Sequence, residues 1–448
     1  MKKIVASVGL IALGVSNFNA VHGQDVATPP YKPWNVSASL RAFYDDNINT
    51  VPNGPNKTGS FGFQVSPGVG LDWHDDQTSL KLDYLYTLRW YDKRPFASDN
   101  YDQDHQFNAS FGHAFNERYQ LGVTESFVIG QEPEMLRSGL FAPGEFQRVS
   151  GDNIRNYGTI TLNGQLTPLF GFEAGYANQF YDYHDSGASV FGGIVGRFIG
   201  GTFVPGPSYS GSLDRIVHNI HLDSRWQITP QTVGVLGYAF ELTDYTGNEP
   251  IAVVSQKIGT NAPTPLVLNS DSRNSRANYI YGGADHNFGP DLSGSIRVGI
   301  RDTDYYNDPT AKSAISPYVN SSLKYNYQAE SYAEAGFSFD RTPTDMVAAS
   351  STDVTRDSDS AVIFGHINHR IVPDLFGSLL AQFQNSTFNG GSFDGKSERY
   401  FMLGLDLTYR FNPYLSADIG YNYDKVDSDI SGRSYDRNRV YIGMTARY

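Results

Sequence analysis

The chain ends on Tyr435-Asp-Arg-Asn-Arg-Val-Tyr-Ile-Gly-Met-Thr-Ala-Arg-Tyr448. Val440, Ile442, Met444, Ala446 and Tyr448 share one parity; Arg439, Tyr441, Gly443, Thr445 and Arg447 share the other. Side chains alternate between the two faces of a strand, so this stretch reads as a β-strand with a different solvent on each face. Chain termini of soluble domains are usually solvated and loose. An apolar strand that ends on an aromatic residue is expected where the last strand pairs with the first and closes a barrel. The competing reading is a buried terminal strand of a soluble sheet.

Composition supports the barrel. The 448 residues include 30 Tyr and 28 Phe, yet charged residues are 18% and mean hydropathy is −0.39. Many aromatics without long apolar runs argue against transmembrane helices and for transmembrane strands, which are apolar on one face only. There is no cysteine, which excludes disulfides and thiolate metal sites. Lys2 and Lys3 precede the apolar run Ile4 to Val15, too short to span a bilayer as a helix; this predicts a secretory signal peptide over 1–23. Val21 and Gly23 suit the cleavage positions, with a cut after Ala20 as the alternative. Without Lys2 and Lys3 the chain carries 32 basic and 47 acidic residues, a poor balance for nucleic acid. Residues 24–33, with Pro29, Pro30 and Pro33, read as a short periplasmic linker, and 34–448 as one outer-membrane domain.

From Trp34 the alternation persists. Val36, Ala38, Leu40, Ala42 and Tyr44 share a face; then Phe61, Phe63, Val65, Val69, Leu71 and Trp73; then Leu80, Leu82, Tyr84, Tyr86, Leu88 and Trp90. Tight turns near Thr167-Pro168, Thr229 to Gln231, Val372 to Asp374 and Asn412-Pro413 alternate with long polar connections. The count is about eighteen strands, an antiparallel up-and-down transmembrane β-barrel with short periplasmic turns and long extracellular loops. Trp73, Trp90, Phe115, Trp226, Phe288, Tyr409 and Phe411 stand where interfacial girdles are expected. A soluble sandwich or propeller would need short loops at both ends. One residue breaks the pattern: Glu125 shares parity with Leu121, Val123, Phe127 and Ile129, and a bulge would turn it inward.

The polar parity is then the lumen. It carries Arg41, Lys81, Arg89, Arg215, Arg225, Arg297, Arg301, Lys324, Arg370, Arg410, Arg439 and Arg447, among Asp83, Asp104, Glu173, Asp223, Glu334, Asp406 and Asp418. Basic groups outnumber acidic ones, which places the acidic excess in loops, at Asp45, Asp46, Asp102, Asp357 and Asp359 among others. Guanidinium forks favour anionic or hydroxyl-rich solutes; equally, such a wall satisfies itself by pairing across strands. The connection His184 to Leu213 is apolar for a surface loop. Phe191, Arg197, Phe198 and Phe203 are candidates for a constriction in the mouth, or for packing on a neighbouring loop or subunit.

Nothing in the sequence marks an enzyme. His366 and His369, three apart on a strand, face opposite sides and cannot share a metal, and His218 and His221 fail alike. Asp45-Asp46-Asn47 and the Asp427/Asp429 pair suit turns on a solvated rim or a loop Ca²⁺ site. No cofactor is expected.

Two resemblances add to this. Tyr441, Gly443, Ala446 and Tyr448 occupy the slots of a sequence similar to the C-terminal assembly signal of bacterial outer-membrane barrels, with Ala446 small for its place. Phe43-Tyr44-Asp45-Asp46-Asn47-Ile48, Ser126-Phe127 with Gln131-Glu132-Pro133-Glu134, and Ser316-Pro317-Tyr318 resemble segments of the putative beta-barrel porin family 2, a likeness that runs from about Trp34 to Tyr448. Members are often associated with exopolysaccharide systems, which implies a polysaccharide conduit and no catalytic residues. The implied partners are outer-membrane lipid and lipopolysaccharide, the barrel assembly machinery and a separate periplasmic export scaffold. A passive porin for small anionic solutes, and a plugged barrel acting as adhesin, receptor or outer-membrane hydrolase, are the alternatives.

Overall fold

The computed structural model describes residues 32–95, 99–130, 152–184, 197–199, 202–204, 208–256, 264–350 and 352–448. The expected signal peptide therefore lies outside the described residues. Eighteen strands form one closed antiparallel sheet. They are β1 (Trp34–Asp45), β2 (Ser60–His74), β3 (Thr78–Tyr91), β4 (Tyr101–Ala114), β5 (Tyr119–Gly130), β6 (Asn153–Thr167) and β7 (Phe170–Tyr183), then β10 (Arg215–Thr229) and β11 (Thr232–Tyr245). After them come β14 (Ser275–Asn287), β15 (Leu292–Asp304), β16 (Ala314–Gln328), β17 (Ser331–Pro343), β18 (Asp357–Val372), β19 (Leu375–Asn389), β20 (Ser397–Asn412), β21 (Leu415–Ser428) and β22 (Tyr435–Arg447). Four short strands sit in two connections: β8 (Arg197–Ile199) with β9 (Thr202–Val204), and β12 (Pro250–Gln256) with β13 (Thr264–Asn269). A single helical turn, α1 (Tyr209–Leu213), precedes β10. No described helix is long and apolar enough to cross a membrane.

The closing strand behaves as its sequence demands. β22 pairs antiparallel with β1 from Ser37↔Arg447 to Asp45↔Arg439. Tyr448 adds one more rung: its N–H donates to Val36 O at 2.8 Å, and Val36 N–H donates to Tyr448 O at 2.9 Å. Its ring lies 5.9 Å from that of Trp34, and Lys32 Nζ sits 3.8 Å from its centroid. Outward, Leu40, Val440, Ile442 and Met444 are exposed to the bilayer. A closed sheet leaves no unpaired edge, which is what a strand in hydrocarbon requires.

The short turns share a local mechanism. Thr167-Pro168-Leu169-Phe170 and Thr229-Pro230-Gln231-Thr232 place Pro where its fixed φ suits the second residue of a turn. The Thr167 and Thr229 hydroxyls accept from the N–H groups of Leu169 and Gln231, both at 3.3 Å. The register shifts one residue before each turn, between Gln165 and Thr167 and between Gln227 and Thr229. Such a bulge adds the twist that an ordinary turn lacks for a hairpin.

The bulge expected at Glu125 does not form. Pairing runs unbroken through Ala109↔Glu125 and Glu125↔Gly158. Thr124 and Ser126 turn inward, where they meet Thr159 and Asn108 at 2.6 and 2.8 Å. Glu125 therefore faces the bilayer.

Candidate functional site

The inner wall is the surface on which a barrel acts on a solute, and its arginines are organised by pairing. Arg41 Nε meets Asp418 at 2.9 Å, and its guanidinium lies over Tyr441, whose hydroxyl donates to Asp406 at 2.7 Å. Arg89 donates to Asp104 at 2.6 Å and to Gln64 at 3.2 Å. Arg225 and Arg297 share Asp285 at 2.7 and 2.8 Å. Arg439 reaches Asp424 at 3.5 Å. Arg215 packs over Tyr181 and donates to Leu213 O at 3.1 Å. Large rings fold flat across a glycine on the next strand. A Cβ added at Gly237 would stand 2.2 Å from Tyr281, and one at Gly420 2.2 Å from Tyr441, so glycine is what lets these rings lie against the wall.

The densest part of the wall spans β11 to β17. Arg301, 4% exposed, reaches Glu241 at 2.9 Å and Asp340 at 3.4 Å, and also donates to Arg341 O. Its guanidinium lies 5.0 Å from the Tyr279 ring, and Tyr279 OH donates to Asp340 at 3.2 Å. Tyr318 packs edge-on against Tyr279 at 5.3 Å, and Tyr281 OH donates to Asp223 at 2.5 Å. All three rings are buried. A charge removed from water this thoroughly is tolerable only with its partners in place.

The periplasmic mouth differs. Arg370 meets Glu330 at 2.8 Å and Arg410 approaches the same carboxylate at 3.8 Å, with their side chains 33% and 14% exposed. Arg410 stacks on Phe376 at 4.0 Å. Arg447 and Lys81, half-buried, have no carboxylate within 4 Å among the described residues, and Lys324 lies over Tyr332 at 4.9 Å. Arg370, Arg410 and Arg447 thus gather in one sector where Glu330 is shared between two of them.

At the other end the loops interlock. Arg273, 1% exposed, donates to Ser212 O at 2.9 Å and Arg356 O at 3.2 Å, and also to Thr344 O, so one guanidinium joins three connections. Burial lowers its proton affinity. Arg356 Nε donates to Asp308 at 2.9 Å. Arg433 reaches Glu398 at 2.8 Å and Asp345 at 3.1 Å; burial opposes its charge, but the two carboxylates outweigh that and hold it above its ordinary value. β12 and β13 bury Ile251, Ala252, Val254 and Leu268 against Val354, with Val347 and Ala349 alongside.

Several sequence expectations change here. Connections 246–274 and 344–356, which the sequence reading did not single out, share an apolar packed cluster. Of the constriction candidates, Phe191 lies outside the described residues, while Arg197, Phe198 and Phe203 are placed only as backbone of the β8–β9 hairpin. Asp45, Asp102 and Asp357 are not solvated loop acids. Asp45 accepts from Arg437 at 2.8 Å, Asp102 meets Arg94 at 2.5 Å, and Asp357 accepts from Asn389 at 2.7 Å, all three buried. Asp45 also accepts from Asn47 N–H at 2.9 Å, so this segment pins the first turn. Glu241, Asp285, Asp340 and Asp424 belong to the wall too, so its basic excess largely cancels. Parity could have found Asp285, which alternates in register with Tyr279, Tyr281 and Gly283.

The family model described as Putative beta-barrel porin 2 matches residues 264–448, from β13 to the closing strand. Ser316-Pro317-Tyr318 falls inside that match; Phe43 to Ile48 and Ser126-Phe127 fall before it. No curated protein matches. Among solved structures, OpdQ of Pseudomonas aeruginosa is 10% identical, with 92% of this chain and 98% of that chain covered at a TM-score of 0.39. OccAB4 of Acinetobacter baumannii is 11% identical, with 93% and 98% covered at 0.41. The siderophore receptor PiuA of Acinetobacter baumannii is 10% identical, with 93% and 82% covered at 0.44. Eighteen strands close on themselves into a β-barrel, and from β13 to the closing strand this chain is similar to the family described as Putative beta-barrel porin 2.

Proposed function

We propose that the barrel passes hydrophilic, saccharide-related and anionic solutes, and that its role is export of an exopolysaccharide. The observation that carries the reading is the mouth formed by Arg370, Arg410 and Arg447, half-open and facing the periplasm, where an exported acidic chain would enter. Guanidinium forks recognise carboxylates and hydroxyls, and a barrel of this strand number has room for an aqueous path. The barrel acts as a conduit rather than an enzyme, a reading supported by the pairing of most wall carboxylates with arginines. It works with lipopolysaccharide around it, the assembly machinery that inserts it and a separate periplasmic scaffold.

Planar-bilayer conductance of the refolded protein, with an acidic oligosaccharide added to either side, tests the channel. Steady conductance blocked more strongly from the periplasmic side supports it. Deleting the gene in the native host separates the roles: loss of surface polysaccharide with normal small-solute uptake favours export, and the reverse favours a passive porin. The interlocked extracellular rim supports a second reading, a plugged or gated barrel acting as adhesin, receptor or hydrolase. Its signature is absent conductance that appears when Arg273→Ala unties the three connections.

A further inference from the structure

The belt that faces lipid is apolar on most of the circumference. Around β18 to β22 and β1 it presents Ile363, Phe383, Leu405, Ile419, Ile442 and Leu40, all well exposed. On β5, β6, β7 and β10 a polar row interrupts it. Glu125 pairs across to Gly158, Gly158 to Asn178, and Asn178 to His218, so four neighbouring outward positions form one row. Glu125 Oε2 and Asn178 Oδ1 converge over Gly158, at 2.6 and 2.4 Å from where a Cβ would stand. Asn156 hydrogen-bonds to Glu125. The Tyr176 hydroxyl lies 2.8 Å from His218 Nδ1, with the two rings stacked.

This row lies in the extracellular half of the belt, with apolar residues on both sides of it. Phe127 and Ile129 follow Glu125 on its face, Phe180 follows Asn178, and Ile216 precedes His218, all toward the extracellular end. Toward the periplasm come Val123 and Leu121, Ala174 and Phe172, and Ile220 and Leu222. His218 stands eight residues from Trp226, roughly 20 Å up a belt of about 25 Å once strand tilt is included. A carboxylate, two carboxamides and an imidazole facing hydrocarbon are costly, and the bonds they make to one another leave part of their capacity unused.

We propose that this face is where a second copy of the chain docks. A partner must present polar groups at the same depth, and rotation about the membrane normal brings the same row to the same height. The row is self-complementary: Glu125 accepts, the amides of Asn156 and Asn178 donate and accept, and His218 completes the set. Gly158 keeps its centre flat and Ala109 flanks Glu125 at one end, as close approach in a bilayer requires.

The chain has no cysteine, so one introduced residue reports alone. Asn178→Cys in native outer membranes, under mild oxidation, is expected to give a covalent pair of this chain, and Ile419→Cys on the far side is expected to give none. Equal cross-linking at both positions, none at Asn178→Cys in a folded heat-modifiable barrel, or capture of a different protein would overturn the proposal. As a second arm, Glu125→Leu with Asn178→Leu removes the polar row without disturbing the ladder. Light scattering in mild detergent should show the wild type as an oligomer and the double variant as a folded monomer. A monomeric wild type, or an unchanged oligomer in the variant, would contradict it.

Discussion

Arg301 and Arg410 carry the same guanidinium on the same wall, yet their settings differ. Arg301 is 4% exposed among Glu241, Asp340 and Tyr279, whereas Arg410 stacks on Phe376 near one shared carboxylate, with its side chain 14% exposed and its neighbour Arg370 at 33%. In the first setting the charge is structural, because removing it strands carboxylates away from water. In the second, Arg370 and the carboxylate it shares with Arg410 keep about a third of their side chains in water. A residue's type therefore does not decide whether it faces solute or merely holds the wall; the burial of the residue and of its partners does.

The sharpest break of that contrast is Arg301→Met. It leaves Glu241 and Asp340 without their cation, and the loss of one partner from a buried pair costs about 3–5 kcal/mol. The temperature at which the heat-modifiable band disappears should fall sharply; an unchanged temperature would place Arg301 with Arg410. Next comes Tyr448→Ala, which removes the ring against Trp34 and Lys32 at the seam. Quantitative blotting of outer membranes should show less folded barrel, and normal amounts would count against the seam as the closing step. Arg410→Ser combined with Arg447→Ser should leave stability within about 1 kcal/mol, as for other solvent-screened pairs. Reversal potentials in a salt gradient should shift toward cation preference, and an unshifted potential would remove the mouth from the conduction path. The smallest effect is expected at Lys57, which meets Asp436 and Asp46 at 3.1 and 3.3 Å. Burial lowers its pKa but the two carboxylates outweigh this and raise it. A raised folded-state pKa gives stability that is full below the unfolded value and lost as pH rises through the folded one. The wild type should thus lead Lys57→Met by under about 1 kcal/mol near neutral pH and lose that lead above about pH 10.4.

What could be read from the sequence was what strand periodicity carries locally. The β22 alternation, its pairing with β1 and the proline turns all follow from a two-residue repeat and from neighbouring residues. Partnerships between distant strands did not follow. Nothing near Arg273 points to Ser212, Thr344 and Arg356, and nothing near Asp45 points to Arg437, 392 residues away. Wall acids were misassigned to loops because the ladders run as far as Asp45 and Asp357, so strand ends hold paired charges. Glu125 was visible as a fault in the pattern. Its meaning needed Asn178 and His218, which belong to strands two and three places away in the sheet.

The most direct test of the central claim is the single-channel conductance of the refolded wild type before and after an acidic oligosaccharide is added on the periplasmic side. Steady conductance that the sugar blocks, and that Arg410→Ser with Arg447→Ser makes insensitive to it, is the result expected of an open lumen with a cationic periplasmic mouth. A barrel that is folded but silent, and stays silent when Arg273→Ala unties its rim, would contradict it.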